Sequence, residues 1–265
     1  MSTAHNSSHT GPNLVNDFFT GARQVIERIE RTQQEAIARA VDQIFRSIHS
    51  GGVVHLFGSG HSRMAVEEMY PRYGSYPGFH PMVELSLTNH HAVVGSNGQR
   101  QAMFLENVEG FGRVIAREVH YGPHDSMMLF SHSGTGAVVI DIALEMRERG
   151  IPLIAVTSVG HSERSRSKHS SGKRLYELAD IVIDNGAVPG DAMVHIEGLE
   201  TPVGPGSTIG NTVIVNTIKC QVAQRLTDAG KPPKVITSSI FVGDEESKRL
   251  FDASYEEYWR TTRTL

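Results

Sequence analysis

Two short stretches combine the residue types that hold an anion without carrying a charge themselves. Gly58-Ser59-Gly60-His61-Ser62 follows one short apolar run, and Ser131-His132-Ser133-Gly134-Thr135 follows another. Each precedes a helical stretch. Glycine lets the backbone approach an anion closely, and the N–H groups at a helix start add donors at the positive end of the helix dipole. Hydroxyls and amides from two such corners, set at neighbouring strand ends, can surround one phosphate. No Gly-x-x-x-x-Gly-Lys run is present, which disfavours nucleotide hydrolysis. A dinucleotide site is disfavoured too, because Ser62-Arg63 stands where its third glycine is required.

Groups able to move a proton lie nearby in sequence. Glu67 and Glu68 open the stretch Glu-Glu-Met-Tyr-Pro-Arg-Tyr-Gly, and a helix starting at Ser62 carries them about two turns above the first corner. Taken alone, an adjacent glutamate pair is a solvated helix face. Glu106 and Glu109 form a second acidic pair, in Leu105-Glu106-Asn107-Val108-Glu109-Gly110. Imidazole titrates near neutral pH, which adds His90, His91 and His195. Most of the fourteen histidines must be bystanders; His195, beyond Gly190-Asp191-Ala192, is the first to test. No His-Glu-x-x-His or other spaced ligand set appears, so no metal or cofactor is expected. The basic run Arg164, Arg166, Lys168, Lys173 and Arg174 has no interleaved aromatic residues and reads as a solvated surface loop.

The elements that must position these residues are legible as alternating patterns. Val53–Phe57, Met127–Phe130, Ile151–Thr157 and Ile181–Ile183 are short apolar runs, and helical residues follow the first two directly. Strands alternating with helices predict a parallel sheet covered on both faces, with ligands outside the carboxyl ends of the strands. Apolar positions from Asn16 to about Ser50 recur at helical spacing, as one long helix or two short ones. A further helix is expected over Ser207–Asp228, capped by Ser207 or Thr208, and a last one over Glu245–Arg263 with Trp259. Between them, 185–207 is rich in Gly and Pro and has no period.

Composition narrows the class further. A chain of 265 residues suits one domain with added helices: residues 1–15 read as a mobile tail and 16–265 as a single domain. A net charge of -4 gives no basic field for nucleic acid or an anionic membrane. One cysteine, Cys220, leaves no internal disulfide, and no apolar run is long enough to span a bilayer. A cytoplasmic protein is expected.

The Gly-x-Gly-x-Ser at 58–62 and the Ser-x-Ser-Gly at 131–134, about seventy residues apart, resemble the paired motifs of the sugar isomerase (SIS) domain. That domain occurs in phosphosugar isomerases, in the synthase that makes glucosamine 6-phosphate, and in the N-acetylmuramic acid 6-phosphate etherase. The likeness covers roughly residues 30 to 230. It implies a flavodoxin-like three-layer α/β sandwich with a central parallel sheet plus N- and C-terminal helices. It also implies phosphate binding by Ser59, Gly60, Ser62, Ser131, Ser133, Gly134 and Thr135. The motif usually ends Ser-Gly-x-Thr, whereas Gly136 stands there in this chain and Thr135 precedes it.

The Glu67-Glu68 stretch is similar to matching stretches in heptose phosphate isomerases and etherases, which makes Glu68 the expected base. Glu109 or His195 is the expected conjugate acid. The segment Thr157 to Leu175 is similar to small SIS proteins linked to N-acetylglucosamine 6-phosphate. The resemblance therefore implies proton abstraction beside the carbonyl of an amino-sugar 6-phosphate. The outcome is dehydration by β-elimination or an aldose–ketose isomerisation, in a homodimer or homotetramer. A non-catalytic sugar-phosphate sensor is the alternative.

Overall fold

The computed structural model describes residues 14–88 and 98–262. Residues 1–13 of the expected tail, and His90 and His91, lie outside the described residues. Helix α1 (Leu14–Thr32) begins two residues before the expected boundary, and α2 (Gln34–His49) follows it. The periodic stretch 16–50 is thus two helices. They part at Gln33, whose side chain accepts a hydrogen bond from the Asp184 N–H at 2.9 Å instead of facing solvent.

Five strands form the sheet: β1 (Val54–Gly58), β2 (Phe79–Met82), β3 (Ser126–Phe130), β4 (Leu153–Thr157) and β5 (Ile181–Asp184). Their order is β2-β1-β3-β4-β5 and every pair is parallel. Between β1 and β2 lies α3 (Arg63–Met69). Between β2 and β3 lie α4 (Gln99–Leu105) and α5 (Phe111–Arg117), and α6 (Ala137–Arg149) joins β3 to β4. A short α7 (Val159–Glu163) follows β4. The chain ends in α8 (Ser207–Asp228), α9 (Ser239–Val242) and α10 (Asp244–Thr262).

This is the expected three-layer α/β arrangement. Alternation along each strand sorts the core into two layers. Val54, Leu56, Met128 and Phe130 pack with α1, α2, α3 and α8, whereas Phe57, Met127 and Leu129 pack with α6. All positions of β1, β3 and β4 are buried, as a sheet covered on both faces requires. Burying one such Leu or Phe contributes about 1.5–3 kcal/mol, so Leu129→Ala would remove about 2–5 kcal/mol with the cavity included.

Helix α3 leaves β1 towards one face and α6 leaves β3 towards the other. The connections therefore diverge between β1 and β3, and that switch point opens a crevice at the carboxyl ends of these two strands.

Candidate functional site

Both serine corners flank this crevice. The first turns at Gly60, whose φ of 55 is a left-handed value that a side chain disfavours, and the Ser62 N–H closes the turn on the Ser59 carbonyl at 3.1 Å. Ser62 precedes α3 without using its hydroxyl as a cap. The Ser59 hydroxyl donates to Oε2 of Glu106 at 3.2 Å.

The second corner is more tightly laced. Ser131 Oγ accepts from the Gly134 N–H at 3.1 Å, and Gly134 also has a left-handed φ of 61. Ser133 Oγ accepts from the Thr135 N–H at 3.4 Å and from the Thr135 hydroxyl at 3.1 Å. Thr135 is buried and faces Ser133, so its hydroxyl orients that serine. Ser131 and Ser133 are half-buried at the mouth of the crevice, ahead of an α6 N-terminus that no side chain caps.

His132 turns towards the neighbouring connection. The Gly190 N–H donates to Nδ1 of His161 at 3.0 Å, which leaves that nitrogen without a proton. The 3.1 Å contact from His132 Nε2 to the same atom is then a donation. His132 Nδ1 remains as a buried acceptor with no partner among the described residues. Burial lowers the pKa of this imidazole and favours its neutral form.

The acidic residues expected to move protons separate into three environments. Glu106 caps the end of α4, beside the crevice. Its carbonyl accepts from the Val138 N–H of α6 at 3.0 Å, and its carboxyl meets Ser59 of the first corner. Burial raises its pKa, and the opposing effects of the Ser59 hydroxyl and the Lys168 charge do not cancel this.

Glu68 lies on α3 against α8. Burial would raise its pKa, but the Asn216 amide at 3.1 Å, the Lys219 ammonium at 3.7 Å and Arg72 at 2.7 Å outweigh burial and lower it. These partners favour the ionised form of Glu68, the expected base, and lower its pKa instead of raising it towards neutrality. Glu67 pairs with Arg63 at 3.0 Å.

Glu109 is exposed. Its pKa is lowered by the side chain and N–H of Ser170, both of which donate to it. It anchors the loop that carries Ser170. His195 is exposed beside α1 and lines a cavity of about 320 Å³ with Val25, Arg28, Pro189 and Met193. The structure thus brings Glu106 to a serine corner, and places Glu68, Glu109 and His195 in other surroundings.

Two features escaped the sequence. The cap of α8 comes from Asp191, not from Ser207 or Thr208: its carboxylate accepts from the N–H groups of Gly206 and Ser207 at 2.9 and 2.8 Å, and from the Ser207 hydroxyl at 2.6 Å. Asp191 has a positive φ of 53, and a Gly-Asp pair inside the irregular segment is the signal that could have shown it. At the other end of the sheet, buried Asp125 and His55 and half-buried His80 form a hydrogen-bonded chain that no motif announces.

Among the described residues no group of three or more His, Cys, Asp or Glu is placed to hold a metal ion, and no helix is long and apolar enough to cross a membrane.

Residues 17–158 match the family model described as the SIS domain. A UPF0309 protein of Listeria innocua, lin2794, is 32% identical over 240 residues, which cover 90% of this chain and 95% of the relative. The UPF0309 protein OB3413 of Oceanobacillus iheyensis is 31% identical over 239 residues, with the same coverage of 90% and 95%. Among solved structures, a phosphoheptose isomerase from Francisella tularensis has a TM-score of 0.52 at 15% identity, covering 79% of this chain and 96% of that one. The phosphoheptose isomerase GmhA from Neisseria gonorrhoeae has a TM-score of 0.50 at 15% identity, covering 79% and 97%. These two share the fold. The paired serine corners, the sheet order and the matched model agree: the chain belongs to the SIS domain family, with the UPF0309 proteins as relatives along nearly its whole length.

Proposed function

We propose that the crevice between β1 and β3 binds the phosphate of a sugar phosphate, and that Glu106 moves the proton on the carbon next to the sugar's carbonyl. The observation that carries this reading is the bond between Ser59 and Glu106, which ties a carboxyl of raised pKa to the first phosphate corner. A base is most effective when its pKa approaches the working pH, and burial moves Glu106 in that direction. Ser62, Ser131 and Ser133 supply the hydroxyl donors, and Thr135 orients Ser133. Gly60 and Gly134 allow the turns. The phosphate is remote from the reacting carbon, so its binding energy can position that carbon against Glu106. The solved structures named phosphoheptose isomerases support a sugar phosphate as substrate.

An aldose–ketose isomerisation suits the site better than an elimination. One carboxylate can take the proton from carbon 2, leaving the electron pair in an enediol, and return it to carbon 1, while the hydroxyl proton on oxygen 2 passes to oxygen 1. Dehydration of N-acetylglucosamine 6-phosphate needs a further acid at the oxygen leaving carbon 3, and among the described residues no hydrogen bond joins Glu106 to Glu109 or His195. Glu68 supports α3 against α8 in this reading.

Incubation in deuterated water with aldose and ketose 6-phosphates, N-acetylglucosamine 6-phosphate among them, tests it. Solvent deuterium at carbon 1 of a ketose product, or at carbon 2 of an aldose formed from a ketose, supports isomerisation, and an unsaturated product supports elimination. Saturable binding with no deuterium in any sugar would instead make the protein a sensor and reject the role of Glu106.

A further inference from the structure

The serine corners offer hydroxyls and amides but no cation, whereas a phosphate monoester carries about −1.5 to −2 charges near neutral pH. The stretch 164–174 reads from sequence as a solvated loop, yet it is fastened along the second corner. The Lys168 N–H donates to the Thr135 carbonyl at 2.9 Å, and the Leu175 N–H donates to the Gly134 carbonyl at 2.8 Å. On its far side the Ser170 N–H meets Glu109 at 2.8 Å, and His169 Nε2 meets Asp141 at 3.3 Å. Asp141 is buried and accepts from the N–H groups of Gly110 and Gly112, at the turn that follows Glu106. Bonds at both sides therefore hold Lys168 between Thr135 and the turn carrying Glu106. Arg174 is engaged by the Ser165 carbonyl and the Tyr176 hydroxyl. The Lys168 ammonium is exposed, acts on Glu106 through its field, and enters no ion pair among the described residues.

We propose that Lys168 completes the phosphate site: its ammonium supplies the countercharge that the two uncharged corners lack and selects dianionic phosphate esters over neutral sugars. This rests on the sugar-phosphate reading above and extends it to the charge of the ligand. The backbone N–H, not the side chain, makes the bond to Thr135, so truncating the side chain leaves the strap attached.

Calorimetric titration of glucose 6-phosphate and inorganic phosphate into the wild-type chain and the variants K168A, K168R and S133A tests the assignment. K168A should weaken binding by about tenfold, the ratio expected for one charge-assisted hydrogen bond, and should flatten its salt dependence. K168R should recover most of the loss. Unchanged affinity in K168A alongside weakened binding in S133A overturns the role of Lys168 and leaves the phosphate site standing. A loss in K168A that K168R does not restore assigns the effect to packing and also overturns it. Failure of the wild-type chain to bind either phosphate overturns this inference together with the reading it rests on.

Discussion

At the amino end of the sheet, Asp125 is buried and both of its oxygens are engaged: the Val53 and Gly122 N–H groups donate to it at 2.8 and 2.7 Å, and His55 Nε2 at 2.9 Å. At the carboxyl end, Glu106 meets one serine hydroxyl, Ser62 caps nothing and His132 keeps an unpartnered acceptor. The same chemical types serve opposite purposes. A carboxylate surrounded by fixed donors is stabilised as an anion and holds strands together. A half-buried carboxylate with one weak donor keeps its proton longer and remains able to exchange it. Burial opposes charge at both ends; the number of donors decides the outcome.

The comparison breaks first if Glu106 can be replaced without effect. Glu106→Gln should lower turnover by about 10²–10⁴-fold, the range for losing a general base, in a coupled assay of sugar-phosphate conversion. Its stability should move the other way. Glu106 binds its proton more tightly in the folded chain than its ordinary value of 4.5 allows, so its contribution to stability is full below that value and is lost as pH rises through the raised pKa. Glu106→Gln removes that loss. Urea melts at about pH 4 and about pH 7 should therefore show the variant gaining on the wild type at the higher pH.

Asp125→Ala tests the opposite end. It strands a buried imidazole and two N–H groups, and should lose about 3–5 kcal/mol in urea denaturation. For the wild type, burial opposes ionisation of Asp125, but the bonds from His55, Val53 and Gly122 prevail and lower its pKa. Its stabilisation is present above the ordinary value of 3.8 and should fade only as pH falls through the depressed one. A smaller effect is expected for Glu68→Gln, where turnover should stay within about threefold, since the residue supports a helix contact. A hundredfold fall there would return the base to Glu68. Smallest of all, Glu109→Gln should keep kcat while KM rises slightly and hydrogen exchange speeds up at the amides of Lys168 and Ser170, because it loosens the strap and leaves the reacting groups in place.

How much of this was written in the sequence depends on how local each signal is. Strands β1, β3 and β4 were legible because a parallel strand buried on both faces is an uninterrupted apolar run, and β5 because Ile181-Val182-Ile183 is apolar although its burial alternates at the sheet edge. Strand β2 was not: Phe79-His80-Pro81-Met82 is an edge strand with two half-buried positions and a proline, which a sheet tolerates only at its border. Helices α4 and α5, at seven residues each, are too short to display a period. The serine corners were legible as residue types. Glu106 and Glu109 stood together in one motif, and only the end of α4 at Leu105 decides which of them meets Ser59. The environment of Glu68 depends on Lys219, 151 residues away, and no window of sequence contains both.

The register of β1 against β3 carries a further consequence. Gly58 stands opposite Phe130, so Ser59 and Ser131 are the first residues beyond two adjacent strands. Parallel neighbours run about 4.8 Å apart, a spacing fixed by main-chain hydrogen bonds and insensitive to side-chain identity. The gap between the two serine corners is thus inherited from the sheet itself. Under the proposed function, mutations in the surrounding helices would reshape what is accepted beyond the phosphorus atom while this gap stays constant, which would give one architecture room to diversify its sugars.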